Sequence, residues 1–73
     1  MLQERYKTSE LFKRIRIDNN LSQQAISEKL DIHQGYFSLL ERGLAKPSLG
    51  MVLRLKNAFE LKWEFIEGFI DEQ

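Results

Sequence analysis

Apolar residues along this chain recur every three to four positions, the spacing of one face of an α-helix. No stretch alternates like a half-buried strand, and β-branched residues are few. Leu11, Phe12 and Ile15 mark a first helix that begins near Thr8 or Ser9 and ends at Asn19-Asn20. Glu10 sits in its first turn, where the helix dipole favours an acid. Ser22 is a strong N-cap for a second helix, with Leu21 placed to pack on Ala25 or Ile26. Ile26 and Leu30 then share its buried side. A third helix is expected from about His33 to Arg42, stopped by Gly43, which can adopt a left-handed backbone. Leu44-Ala45-Lys46-Pro47 reads as a loop, because Pro47 cannot continue a helix. Ser48 caps a fourth helix whose Leu49, Val52, Leu53, Leu55 and Phe59 read as largely core. A fifth starts near Lys62 and carries Trp63, Phe65, Ile66, Phe69 and Ile70.

Five short helices with short connections make an all-α globule of one domain. The expected organisation is a tail over residues 1–7 and a domain over 8–73, with 62–73 as its C-terminal helix. A chain of 73 residues leaves room for one domain only. It has no Cys and one His, His33, so disulfides and thiolate metal sites are excluded and no metal or cofactor is expected. A compact core or an oligomer is left to stabilise the fold. No apolar run approaches the length of a membrane span, and Met1 to Lys7 contains no apolar signal region. The expectation is a cytoplasmic protein without a membrane or small-molecule partner. No Ser/His/Asp or paired-carboxylate set suggests an enzyme.

Zero net charge counts against a nucleic-acid binder, since phosphates usually require a basic surface. Its distribution changes that. Residues 1–46 hold eight Lys and Arg against six acids, and residues 47–73 hold three against five. The small positive excess coincides with the most informative segment, LSQQAISEKLDIHQGYFSLLERG at 21–43. Two short helices flank a tight turn there, the helix-turn-helix arrangement in which the second helix enters a major groove. Ser27 is small where the two helices cross. Asp31 occupies a turn position requiring positive φ, which Asp tolerates better than most.

On a helical wheel with Phe37 and Leu40 inward, Gln34 lies at the rim and Gly35, Ser38, Leu39 and Arg42 point outward. Gln can bond adenine bidentately, Ser suits base or phosphate, and Leu can pack on a thymine methyl. Gly35 allows close approach of the backbone.

The chain resembles the lambda-repressor-like, Cro/XRE family of helix-turn-helix regulators. The match is carried by Arg16, Leu21-Ser22-Gln23, Ile26, Leu30, Ile32, Gln34, Tyr36-Phe37-Ser38, Glu41-Arg42-Gly43 and Pro47-Ser48-Leu49. The string S-x-x-E-R-G-x-x-x-P-S at 38–48 is its most specific part. The resemblance implies a sequence-specific DNA-binding transcriptional regulator, and a homodimeric repressor of phage, restriction–modification controller or antitoxin type. Its partner would be double-stranded DNA with a near-palindromic operator. The rival reading is a protein-binding module or an antitoxin acting through a protein partner. The resemblance also implies base contacts from Gln34, Gly35, Ser38 and Leu39. His33, where the family usually has Ser or Thr, is read as a weak cap beside the bases. Phosphate contacts fall to Ser22 and Gln23 at a helix N-terminus, and to Tyr36, Arg42, Lys46, Lys13 and Arg14. Arg16 and Glu41 are expected to form a structural salt bridge. Trp63 and Ile66 are expected in the core. Phe65 and Phe69 exceed what a small core needs, so they are read as a dimer interface flanked by Trp63 and Ile70. The chain departs from the family at Asp31, Ser27 and Lys56, where Gly, Ala and a small apolar residue are usual.

Overall fold

The computed structural model describes residues 6–70. Five helices follow in order: α1 (Ser9–Asp18), α2 (Gln23–Leu30), α3 (Gln34–Glu41), α4 (Leu49–Phe59) and α5 (Trp63–Glu67). Among the described residues there is no strand, and no helix is long and apolar enough to cross a membrane.

The core draws on every helix. Leu11, Phe12 and Ile15 of α1 meet Ile26 and Leu30 of α2, Phe37 and Leu40 of α3, Met51, Val52 and Leu55 of α4, and Ile66 of α5. Phe12 and Phe37 pack edge to face, with ring centroids 6.2 Å apart, which brings the quadrupole edge of one ring to the face of the other. This contact ties the first helix directly to the third.

Local chemistry sets the helix boundaries. Ser22 Oγ accepts the N–H of Ala25 at 3.0 Å, and Ser48 Oγ accepts that of Met51 at 3.1 Å. Each satisfies an N–H that has no partner within the helix. The start of α1 is managed differently. Thr8 has helical backbone angles and makes no side-chain cap. The N–H groups of Ser9, Glu10 and Leu11 bond instead to the carbonyls of Tyr6, Lys7 and Thr8, three residues back. Left-handed residues close three of the helical segments: Asn20 after α1, Asp31 after α2 and Glu60 after α4, with φ of 56°, 60° and 54°. Gly43, after α3, has φ 77°.

Three sequence expectations are corrected here. Leu49 is 70% exposed and Leu53 36%, so neither is core. Met51, Val52 and Leu55 define the buried stripe of α4. At about 100° per residue, Leu49 lies about 110° from its centre and Leu53 about 150°. Hydrophobicity named these leucines as core; helical phase places them outside it. Trp63 is 46% exposed rather than core, and Lys56 Nζ lies 5.1 Å from the centroid of its ring. Lys56 thereby covers an indole face instead of packing as a small apolar residue would. Finally, α5 ends at Glu67, so Phe69 and Ile70 follow it in a turn closed by bonds to Ile66 O and Glu67 O. Of the C-terminal helix expected over 62–73, residues 71–73 lie outside the described residues, as do 1–5 of the expected tail.

Urea unfolding separates the buried stripe of α4 from its exposed side. Leu49→Ala should change stability by no more than about 0.5 kcal/mol. Leu55→Ala, at a fully buried site, should cost about 2–5 kcal/mol. Equal losses would show that the stripe is misassigned.

Candidate nucleic-acid interface

The turn between α2 and α3 is built by three devices. Asp31 takes the left-handed conformation, and the N–H of Ile32 returns to Ser27 O at 2.9 Å. Ser27 is 2% exposed and turns its hydroxyl back to Gln24 O at 2.9 Å. A hydroxyl satisfied within its own helix leaves a small, nonpolar surface for α3 to cross. From α4, Arg54 Nη1 donates to Leu30 O at 3.0 Å and Asp31 O at 3.4 Å. A cation on the terminal carbonyls of α2 complements the negative end of that helix. The sequence reading missed Arg54, because nothing local links positions 24 residues apart.

At its far end, α3 is fastened by a charge cluster. Arg16 Nε and Nη2 donate to Glu41 Oε2 at 2.9 and 2.7 Å. Arg16 Nη1 donates to Leu21 O at 3.1 Å, and Gln23 Nε2 donates to Glu41 Oε1 at 2.8 Å. The Glu41 side chain is only 5% exposed and that of Arg16 23%. Both carboxylate oxygens are therefore matched by donors, as a buried charge requires. Arg16 and Glu41 pair as the family resemblance implied. The part of Gln23 in the cluster was not foreseen; its amide is held against Glu41 rather than left loose on the helix end.

With both ends fixed, α3 turns Phe37 and Leu40 inward and leaves Gln34, Gly35, Tyr36 and Leu39 exposed. Ser38 is half-buried. His33 precedes the helix in extended conformation, is exposed and makes no side-chain cap. One surface thus gathers Gln34, Gly35, Ser38 and Leu39 with His33 at its leading end. Lys13, Gln23 and Arg42 meet at a cleft that also includes Arg16 and Glu41. Arg42 Nε reaches back to Ser38 O at 3.3 Å. Lys46 is exposed in the loop after Gly43. Ser22 and Gln23 open α2, whose own first turn carries no acid, although the Glu41 carboxylate lies on the Gln23 side chain.

Arg14 lines a groove with Lys13, Glu41 and Arg42 and is already engaged. Its Nε donates to Asp18 at 2.9 Å, and its guanidinium lies over Phe65, 5.9 Å from the ring centroid. It therefore belongs to the side of α1 that faces α5. Phe65 and Phe69 are half-buried against each other, ring centroids 5.3 Å apart, while Trp63 and Ile70 are exposed.

Two helices across a tight turn, with an uncharged outward face flanked by cations, have the geometry of a DNA-reading unit. The helix-turn-helix family profile matches residues 12–66 of this sequence. The chain belongs to the helix-turn-helix family. It is a DNA-binding transcriptional regulator of the Cro/C1 type, and the family's partner is double-stranded DNA. No curated protein sequence matches the chain significantly. Among solved structures, the wild-type restriction-modification controller protein C.Esp1396I superposes with a TM-score of 0.73 at 19% identity, covering 93% of this chain and 92% of that one. A point mutant of the same controller gives a TM-score of 0.73 at 18% identity, covering 86% and 85%. At that identity the likeness establishes a shared fold.

In this helix-turn-helix protein the Glu41 cluster should carry a measurable share of stability. Glu41→Ala leaves Arg16 and Gln23 without their acceptor and should cost about 3–5 kcal/mol in urea unfolding. Replacing the pair together, Arg16→Met with Glu41→Leu, should recover much of that loss. A double variant as unstable as Glu41→Ala would mean that the carboxylate acts through something other than this pairing.

Proposed function

We propose that this regulator binds a near-palindromic operator as a homodimer and acts as a repressor. Each α3 enters one major groove, and the half-sites lie about 34 Å, one helical turn, apart. The observation that carries this reading is the outward surface of α3. Solvated helix faces are usually rich in Lys and Glu; this one offers Gln34, Gly35, Ser38 and Leu39. Base-edge readout needs such uncharged donors, acceptors and apolar groups. Phosphate contacts then come from the rim: Lys13, Arg42 and Lys46, the hydroxyl of Tyr36, and Ser22 and Gln23 at the start of α2. His33 stands beside the bases. Arg14 lines the same groove as Lys13 and Arg42, but Asp18 and the Phe65 ring already engage its guanidinium, so it ranks below them as a phosphate contact.

Gln34→Ala provides the test. Affinity for a site selected from a random DNA pool should fall by about 1–3 kcal/mol, while affinity for unrelated duplex stays nearly unchanged. Binding should weaken with salt, with a log–log slope near −0.9 per phosphate contact. A chain that binds no duplex even at low salt is instead a protein-binding module.

The second subunit is assigned to the α5 surface. Trp63 and Ile70 are 46% and 40% exposed, and Phe65 and Phe69 pack on each other with ring centroids 5.3 Å apart. Ile17, 51% exposed, lines a groove of about 510 Å³ with Tyr6 and Phe69, which Lys13, Arg14 and Arg42 also border. Exposed apolar side chains on the surface of a small domain mark candidate contact sites. Phe65 and Phe69 also pack on the core, so Ile70 is the cleaner probe. Ile70→Asp should sediment as a monomer with an unchanged helical spectrum. Wild-type protein that is monomeric at high concentration removes this interface.

A further inference from the structure

Ser9 is the exception in an otherwise satisfied interior. It is 2% exposed, and among the described residues its Oγ is the one buried side-chain polar atom without a hydrogen-bond partner. A hydroxyl taken out of water and left unpaired carries an uncompensated desolvation cost. Ser22 and Ser48 use their hydroxyls as caps, and Ser27 turns its own to Gln24 O. Ser9 instead lines the groove of about 510 Å³ bounded by α1, the end of α3 and the turn at Phe69. Ser9, Lys13 and Ile17 follow at i, i+4 and i+8, so they form a row along one face of α1. The row runs about 12 Å and passes from a hydroxyl to an ammonium to an apolar side chain. Arg42, Phe69 and Tyr6 contribute to the rest of the lining. Two of the other charged groups there are already matched: Glu41 by Arg16, and Arg14 by Asp18. Among the lining residues this leaves the cations Lys13 and Arg42 against the single acid Glu10.

Small-molecule sites have volumes of about 300–1,000 Å³ and apolar walls with a few placed polar groups; this groove has both. Two cations and a hydroxyl select a carboxylate, and Tyr6, Ile17 and Phe69 select an aromatic ring. We propose that the groove is an effector site for a small aromatic carboxylate, whose binding weakens the hold on DNA. The carboxylate lies between Lys13 and Arg42. Water does not reach the Ser9 hydroxyl in the free protein; rotation to another staggered position turns it to the ligand and supplies its missing partner. The effect on DNA rests on the reading of Lys13 and Arg42 as phosphate contacts, because a carboxylate between them competes with the DNA backbone for the same cations. Linkage makes the effect mutual: DNA weakens the ligand by the factor by which the ligand weakens DNA. The sequence suggests no small-molecule partner because the lining comes together only in the fold.

The experiment uses the full chain, 3-phenylpropionate as the probe and its uncharged amide as the control. Titration of the acid should shift the backbone amide resonances of Ser9, Lys13, Ile17 and Arg42, with a dissociation constant below about 1 mM. The control should bind at least about ten-fold more weakly, since it lacks the charge. Ser9→Ala should raise the melting temperature, because it removes an unpaired buried hydroxyl, and lower affinity for the acid about five-fold. That pair of readouts separates ligand binding from folding. Without acid, Ser9→Ala should bind duplex as the wild type does. At constant ionic strength, saturating acid should lower affinity for a duplex selected from a random DNA pool by about ten-fold. Shifts that acid and amide produce alike, or an acid affinity unchanged in Ser9→Ala, overturn the site. Groove resonances that follow protein concentration and ignore the acid mean that a second copy fills the groove, which also overturns it. Acid that binds yet leaves duplex affinity unchanged overturns the effector role. Failure to bind any duplex at low salt without acid would instead overturn the phosphate assignment on which that role rests.

Discussion

The carboxylate of Glu41 is the constraint on which the rest of this molecule depends. It lies almost wholly out of water, where an unmatched charge would cost several kcal/mol. Its satisfaction requires Arg16 from α1 and Gln23 from the start of α2 to converge on the last residue of α3. Arg16 also holds Leu21 O, and the N–H of Leu21 returns to Arg16 O at 3.0 Å. The junction between α1 and α2 is thus locked by the same side chain that locks α3. Apolar packing of Phe37 and Leu40 fixes which side of α3 is buried, but packing is tolerant of small rotations. The charge cluster is not, because its hydrogen bonds demand distance and direction. Directional bonds at one end and the tight turn at Asp31 at the other leave α3 a single orientation in which to present its outward face.

This division explains which parts of the fold were legible in the sequence. Helices α1 to α3 carry their boundaries locally, in Ser22, Asp31 and Gly43, and their periodicity separates Phe37 and Leu40 from Gln34 and Leu39. Local rules therefore reach the outward face of α3. They fail where tertiary contacts decide. Leu49 and Leu53 are as hydrophobic as Leu55, yet only phase relative to the partner helices buries one and exposes the others. Trp63 has the volume of a core residue but stands at the first position of a five-residue helix, where Lys56 covers its face instead. Arg54 at the end of α2, and Gln23 on Glu41, join residues far apart in sequence, so no motif announces them. In the candidate site the residue types were legible, whereas the network that aims them was not.

The same contacts give the charge distribution a different meaning. The basic excess of residues 1–46 is a sum over cations with several occupations. Arg16 is bound into the Glu41 cluster. Arg14 is paired with Asp18 and lies over Phe65, and Lys29 Nζ stands 5.3 Å from the Phe59 ring. Arg14 and Lys29 support packing, since a cation over an aromatic face stabilises the contact while keeping its head in water. Lys13, Lys46 and Arg42, whose Nε also donates to Ser38 O, are cations of the α3 surface. A net charge near zero is thus compatible with DNA binding, but it sets the scale of the electrostatic contribution from each subunit.

That scale bears on how specificity is divided. Nonspecific affinity comes almost wholly from phosphate neutralisation, so few cations per subunit mean weak holding of arbitrary DNA. Base contacts from one short helix add only a few kcal/mol more. Linking two such units raises the effective concentration of the second once the first has bound, without any new contact. A weakly basic subunit consequently gains more selectivity from pairing than a strongly basic one, because a single misplaced subunit dissociates readily while two correctly spaced ones hold together. In the proposed dimer, the modest charge at the α3 surface and the apolar residues of the α5 end would be complementary: one subunit alone would hold DNA weakly, and the spacing of the pair would supply the discrimination.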